Sequence, residues 1–260
     1  MKKIESLVKG LIVYGLMLAM ANSLAAQTPS QGTAKVVRIK GSARYSTGNN
    51  VYLPLKVGAS IKSGMLIQTA ANSYVDIVVG EGEVAPIRTT IGAGQSYQPT
   101  AEQNVVRIWE NSVLGIDKLT STDTGTDVVT ETQLNLQAGR IFGNVRKMPA
   151  ASKYEVKIPN GVAGIRGTIY TLSADGVVKV LVGQVVLAYA APDGTIVTQV
   201  VMGGQQFDAR TGQLTAIPNY DRKEMVNAAK ESRIAPTVPA ITFTVDHTIY
   251  YVSPTKVNNG

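Results

Sequence analysis

Apolar and polar residues alternate with a period of two along most of this chain, in short runs closed by Gly, Asn or Pro. That period belongs to half-buried strands, whose side chains point to opposite faces in turn. Strands are predicted at 33–40, around Val37 and Ile39, at 51–55 after the Gly48-Asn49-Asn50 turn, and at 73–79, 84–91 and 103–109. Leu134-Asn135-Leu136 alternates, Gly139 interrupts, and 141–145 resumes. Further strands are expected at 154–158, 168–172, 177–182, 185–190 and 195–201. Asp175-Gly176 and Asp193-Gly194 predict two-residue hairpin turns, which need the positive φ that Asp and Gly tolerate. Many short strands separated by turn residues define an all-β fold, a sandwich or β-roll-like stack.

Three stretches break the pattern. Residues 119–132 are rich in Ser, Thr, Asp and Gly and poor in apolar side chains, which reads as an exposed loop, with Asp123 and Asp127 flanking Gly125. After Pro218, Asp221 followed by Glu224 suggests a reciprocally capped start to one short helix near 222–232, with Met225, Val226 and Ala229 on one face. Pro236 and Pro239 end it, and 241–245 and 249–252 read as strands in a tail with a frayed end. Two sections also resemble each other: Val75 to Gly80 parallels Val178 to Gly183, and Ile91 to Tyr97 parallels Val201 to Phe207. A duplicated lobe and independent reuse of strand-turn chemistry both explain this.

The first residues carry Lys2, Lys3 and Lys9, then an apolar run over 11–21, then Asn22, Ser23, Ala25 and Ala26. This is the layout of a secretory leader, shorter than the ~18–20 apolar residues of a membrane anchor. The expected organisation is a leader at 1–26, a β domain at 33–217 and a helix with an extended tail at 218–260, with no stable membrane span once the leader is cut after Ala25 or Ala26. Removing the leader lowers the net charge from +7 to +5. The cations are dispersed among strands, which argues against a nucleic-acid surface. No cysteine is present, so disulfides and a lipidated cysteine are both excluded.

The densest motif is Gly161-Val-Ala-Gly164-Ile165-Arg166-Gly167-Thr168, between two β-rich runs. Its glycines let the backbone turn tightly or approach a neighbouring strand, and Thr168 begins the next strand. The Arg166 fork could hold a carboxylate or phosphate, or tie carbonyls across the turn. Upstream, Gly58-Ala-Ser-Ile61-Lys-Ser-Gly64 precedes Ile67-Gln-Thr69 and Asn72-Ser73. Downstream come Leu134-Asn-Leu136, Gly139, Pro159, the Arg166-Gly167-Thr168 triplet and Gly204-Gln205. This ordered set resembles the FecR family over roughly residues 33–217.

Enzymatic chemistry finds little support. His247 is the only histidine, so Cys/His pairs and multi-histidine metal sites are excluded, and no Gly-x-Ser-x-Gly turn is present. Glu81 with Glu83, and Glu102 with Glu110, are the carboxylate pairs available for glycoside hydrolysis, yet close acidic pairs in turns are normally solvated. Asp123-Thr-Gly-Thr-Asp127 lacks the alternating acids and closing Glu of a calcium loop. Gly92-Ala-Gly94 lacks a third glycine and is read as a turn. Trp109, the only tryptophan, could stack on a sugar, anchor a partner, or plug the core. No cofactor or metal is expected.

The resemblance implies a periplasmic recognition domain. Signalling members of that family act between an outer-membrane receptor and a cytoplasmic sigma factor, and only a few residues precede the apolar run here. The expectation is therefore an exported, non-enzymatic FecR-like binding or scaffold module of a Gram-negative cell envelope, periplasmic or at the cell surface. Its expected partner is a protein or an envelope polymer, contacted through Arg166, Gly167, Thr168, Asp123 and Asp127. The alternatives are a sensory or signal-relay component of a sigma-factor regulatory system, and a carbohydrate-active enzyme using paired carboxylates.

Overall fold

The computed structural model describes residues 28–233 except 50, 81–98, 102 and 192. The leader, the strand predicted at 84–91, the Ile91 to Tyr97 member of the internal resemblance, His247 and the tail strands lie outside these residues. No helix among the described residues is long and apolar enough to cross a membrane.

The chain lays short strands and hairpins alternately on two facing sheets, the expected all-β stack. One sheet has ten strands. It holds β1 (Ser30–Gln31), β3 (Ala43–Ser46), β4 (Tyr52–Pro54), β6 (Leu66–Thr69), β9 (Val113–Asp123), β10 (Val128–Ala138), β12 (Lys153–Ile158), β13 (Gly161–Ile165), β16 (Gln184–Ala190) and β17 (Ile196–Met202). Its order is β17-β16-β13-β12-β10-β9-β6-β3-β4, with β1 added on β9. The other, nine-stranded sheet runs β19-β18-β15-β14-β11-β8-β7-β2-β5. These are β2 (Ala34–Lys40), β5 (Ser60–Ile61), β7 (Tyr74–Val79), β8 (Val105–Ile108), β11 (Arg140–Val145), β14 (Thr168–Ser173), β15 (Val177–Val182), β18 (Gln205–Asp208) and β19 (Gln213–Ala216). Among the described strand pairs only β10 with β12 is parallel.

Alternation places one face of each strand in the core. Ile67, Leu114, Leu134, Val156 and Leu187 of the first sheet belong to one buried cluster with Val36, Ile77, Val106, Ile141 and Val178 of the second. In β11 and β14 nearly every residue is buried on both faces. The reason is a helix, α1 (Asn219–Glu231), whose Ala228 and Ala229 pack on Phe142 and Ile169 of the second sheet's outer face.

Three sequence expectations are corrected here. Residues 119–132 are not a loop but most of a long hairpin, with 11-residue strands β9 and β10 joined at 124–127. Its Ser and Thr pair across strands, Thr120 with Glu131 and Ser121 with Thr130, so polarity marks a solvated ribbon rather than missing structure. The helix starts earlier than its acidic pair suggested, after Pro218, with no side-chain cap. Asp221 and Glu224 instead reach the sheet, pairing with Lys179 and Arg140 at 2.8 Å each, and Ala228 takes the buried place expected of Val226. At Asp175-Gly176 and Asp193-Gly194 only the glycines have positive φ, 91° and 84°, in loops longer than two residues.

The helix is locked by a buried ion pair. Arg107 of β8 and Asp76 of β7 face each other across the strands, 0% and 1% exposed. The guanidinium grips Asp76 through two hydrogen bonds of 2.7 and 3.0 Å and reaches Glu231 at 2.7 Å, while Arg38 approaches Asp76 at 2.8 Å. Burial opposes the charge of Arg107, but the hydrogen bonds it donates to Asp76 and Glu231, with the Asp76 charge, outweigh it and hold its pKa above the ordinary value. Breaking a buried pair leaves one charge unsolvated. Arg107→Leu is expected to cost about 3 kcal/mol or more, read from the urea midpoint.

The core also hides two phenols. Tyr154 and Tyr170 are neighbours whose hydroxyls are buried without a hydrogen-bond partner. Burial pushes both pKa values up, and for Tyr170 the neighbouring Tyr154 adds to it. The folded protein thus keeps these protons to higher pH than the unfolded chain. Stability is full below about pH 10 and falls as pH rises further, by about 1.4 kcal/mol per unit for each tyrosine. Replacing both with Phe should flatten that alkaline slope in urea titrations between pH 9 and 12.

Candidate functional site: the basic corner rim

The chain changes sheets within one to four residues at most crossings, and these crossings stack along two opposite edges of the sandwich. On one edge lie Gly41-Ser42, residues 70–73, residues 109–112 and Gly139. On the other lie Arg166-Gly167, Gly183, Gly203-Gly204 and the longer crossing 146–152. Each of these seven short crossings holds a residue in the left-handed region: Gly41 at 77°, Asn72 and Asn111 at 52°, Gly139 at 76°, Gly167 at 61°, Gly183 at 87° and Gly204 at 86°. Gly and Asn adopt this conformation at least cost.

Space restricts the corners as firmly as torsion. A Cβ on Gly183 would stand 2.4 Å from the carbonyl oxygen of Gly167, one on Gly139 2.2 Å from Ser112 Oγ, and one on Gly41 2.3 Å from Ser73 Oγ. Hydroxyls take up the backbone groups that each crossing frees. Ser73 Oγ accepts from the Ser42 amide at 2.9 Å, Ser112 Oγ from the Arg140 amide at 3.0 Å, and Thr69 Oγ1 from the Ser112 amide at 3.0 Å. The Thr168 hydroxyl donates to the Gln184 carbonyl at 2.8 Å. The motif residues Thr69, Asn72, Ser73, Gly139, Gly167 and Thr168 are thus the pieces of stacked corners.

Within Arg166-Gly167-Thr168 the three members divide. Gly167 and Thr168 are buried; Arg166 is exposed, and its Nη2 donates to the Met148 carbonyl at 2.9 Å. The tight turn falls at Arg166-Gly167, whereas Gly164 lies within strand β13, the second of the two roles open to the glycines of this motif. The Lys147 stem crosses Gly167 so closely that a Cβ there would meet Lys147 Cγ at 2.7 Å. Arg146, Lys147 and Arg166 are all exposed on this rim, and none has an acidic partner among the described residues. Sequence reading missed Arg146 and Lys147, although adjacent cations before a Pro-bearing crossing were the available signal.

Asp123 and Asp127 sit at the same end of the stack, at the tip of the β9–β10 hairpin. Just behind the tip the hairpin meets the 146–152 crossing, where the Thr130 amide donates to Ser152 Oγ at 3.0 Å. The tip closes on itself: Asp123 accepts from the Gly125 amide at 2.8 Å, and the Thr124 hydroxyl donates to the Asp127 carbonyl at 2.7 Å. No group of three or more His, Cys, Asp or Glu among the described residues could hold a metal ion.

Two concavities flank these features. Beside the rim, a cavity of about 30 Å³ lined by Tyr154, Thr130, Ser121, Arg146 and Met148 has room for a water or two and for no organic ligand. Beside α1, an open groove of about 540 Å³ carries Tyr74, Trp109 and Tyr220. Arg107 and Arg140 already stand over the Trp109 ring, at 5.3 and 4.8 Å from its centre, and Tyr74 meets it edge-on. Trp109 is therefore half-buried packing for cations of its own sheet. Of the acidic pairs, only Glu110 is described, and its carboxylate accepts from the Asn72 amide at 2.7 Å.

Residues 65–186, a little under half of the chain, match the family described as FecR protein. The match takes in corner residues of both edges, from Thr69 to Gly183, and leaves Gly41-Ser42 and Gly203-Gly204 outside it. Two crystal structures of a candidate anti-sigma factor from Parabacteroides distasonis, at 1.65 and 2.50 Å, are also similar, each at 15% identity and a TM-score of 0.32. The first alignment covers 44% of this chain and 51% of the other, the second 55% and 59%. The chain thus spans little more than half the length of those proteins, and likenesses this slight define neither fold nor function. No curated protein matches the chain.

The corner reading separates two substitutions within one motif region. Gly183→Ala forces a Cβ onto a carbonyl at positive φ and should cost at least about 2 kcal/mol. Arg166→Gln gives up one exposed hydrogen bond and should cost about 1 kcal/mol or less. Thermal unfolding followed by circular dichroism checks both.

Proposed function

We propose that this chain is a sensory or relay component of a sigma-factor regulatory system, working outside the cytoplasm through protein contacts and without catalysis. The observation that carries the reading is the match to the FecR family at residues 65–186. The basic run at Lys2, Lys3 and Lys9 and the apolar run after it support export to the periplasm or cell surface. The rim is the contact surface in this reading. Arg146, Lys147 and Arg166 project from rigid, stacked corners and attract an acidic segment of a partner protein, while Gly167 and Thr168 hold the shape beneath them. Asp123 and Asp127 border the same surface and select against an acidic approach from the hairpin side.

A second reading, an envelope binding or scaffold module, draws on the same leader-like segment and predicts no transcriptional role. Deleting the gene and measuring transcripts separates the two. The sigma-factor reading predicts a several-fold change in one sigma-dependent gene set. Wild-type chain should reverse that change, and a folded Arg146→Gln/Lys147→Gln/Arg166→Gln variant should not. Unchanged transcripts with altered envelope integrity would contradict it and favour the scaffold.

A further inference from the structure

Among the described residues the two sheets end in four edge strands, and three are blunted. β5 has two residues, β4 has three and ends on Pro54, and β19 has four. The fourth, β17, runs Ile196-Val-Thr-Gln-Val-Val-Met202, seven residues with no charge and no proline. Natural edge strands are protected by shortness, proline or charge, because their free amides and carbonyls template another strand. β17 has none of these protections, although side chains occupy two of its backbone groups: the Met202 amide donates to Gln205 Oε1 at 2.9 Å and the Val200 carbonyl accepts from Gln199 Nε2 at 2.7 Å, and a pairing strand would displace both. Its Ile196 is 74% exposed, Met202 49% and Val200 42%. Val200 stands opposite Val186 of β16, also exposed, and Val186 stands opposite Gly164 of β13, so an apolar strip runs from the edge into the outer face.

We propose that β17 pairs antiparallel with β17 of a second copy about a two-fold axis at Gln199, joining two ten-stranded sheets into one continuous sheet. The register places Ile196 opposite Met202, Val197 opposite Val201, Thr198 opposite Val200, and Gln199 opposite itself. Residues of equal parity meet, so the outer-face set Ile196, Thr198, Val200 and Met202 stays on one face across the junction and no side chain flips into the core. Charge favours a second copy as the occupant. The chain carries a formal net charge of +7, and copies repel wherever cations approach one another. β13, β16 and β17 contain no charged residue, so this edge is where identical chains meet without like charges in opposition. Isologous pairing also closes, leaving no free β17 to propagate a fibre. A seven-residue ladder is small for an interface, so the dimer is a reversible one.

The test is sedimentation velocity on the full chain across a concentration series, with circular dichroism confirming that each variant is folded. Wild type should shift from one to two monomer masses as concentration rises. Gln199→Lys and Gln199→Glu each put like charges across the axis and should stay monomeric, while an equimolar mixture of the two should recover the dimer. Three results would overturn the proposal: wild type monomeric throughout, a dimer untouched by Gln199→Lys, or a mixture that stays monomeric when each variant alone is folded. Capture of an extended apolar peptide by a wild-type chain that remains monomeric would assign the edge to another occupant and equally overturn it.

Discussion

A left-handed backbone turn with no room for a side chain is the constraint on which this structure depends. Strands pair readily enough, but a chain that alternates between two sheets must cross the gap repeatedly, and the crossings must stack as closely as the strands do. Gly183 beneath the Gly167 carbonyl and Gly139 against Ser112 show how little space is left. Such corners fix register, because each one ties a crossing to the neighbours above and below it. They also fix surface: the side chains next to the glycines are carried on backbone that has nowhere to move.

From that constraint follow the rim and the helix. The rim presents Arg166 because Gly167 holds the turn and because the Lys147 stem lies over it. The helix follows a second logic, in which charge is buried only where it is matched. Asp76 and Arg107 interrupt apolar strands on the face that α1 covers, and they are tolerated because each hydrogen-bonds the other and because Glu231 and Arg38 complete the set. Apolar contact through Ala228 and Ala229 is modest, so ion pairs at Asp221, Glu224 and Glu231 give the helix its position along the sheet. The described part of the chain therefore ends in an element held by electrostatic matching, in contrast to the aliphatic interior between the sheets.

Much of this was legible in the sequence, for a physical reason. Period-two alternation located β7, β12, β15 and β16 to within a residue or two, since one face of each is core and the other is not. The tip half of the β9–β10 ribbon escaped because both of its faces are solvated there, whereas Leu134 and Leu136 nearer its base do alternate. The strand β13 escaped because glycines at 161 and 164 imitate a turn, while at Gly161 the Ala188 carbonyl leaves no room for a side chain. The helix start was misplaced because Asp221 and Glu224 serve the sheet instead of the helix end. Of the rim, Arg166 and its motif could be picked out locally, whereas Arg146 and Lys147 join it only through the crossover topology. The Arg107–Asp76 pair left a trace, one charge in each of two apolar strands, but pairing them required the register.

Hydrogen exchange at the crossings tests the central claim most directly. Stacked corners predict that the amides of Ser42, Ser112, Arg140 and Gly203, each hydrogen-bonded across a crossing, exchange as slowly as core strand amides such as Ile77. Exchange at those four positions as fast as at the exposed Thr126 of the hairpin tip would contradict the account.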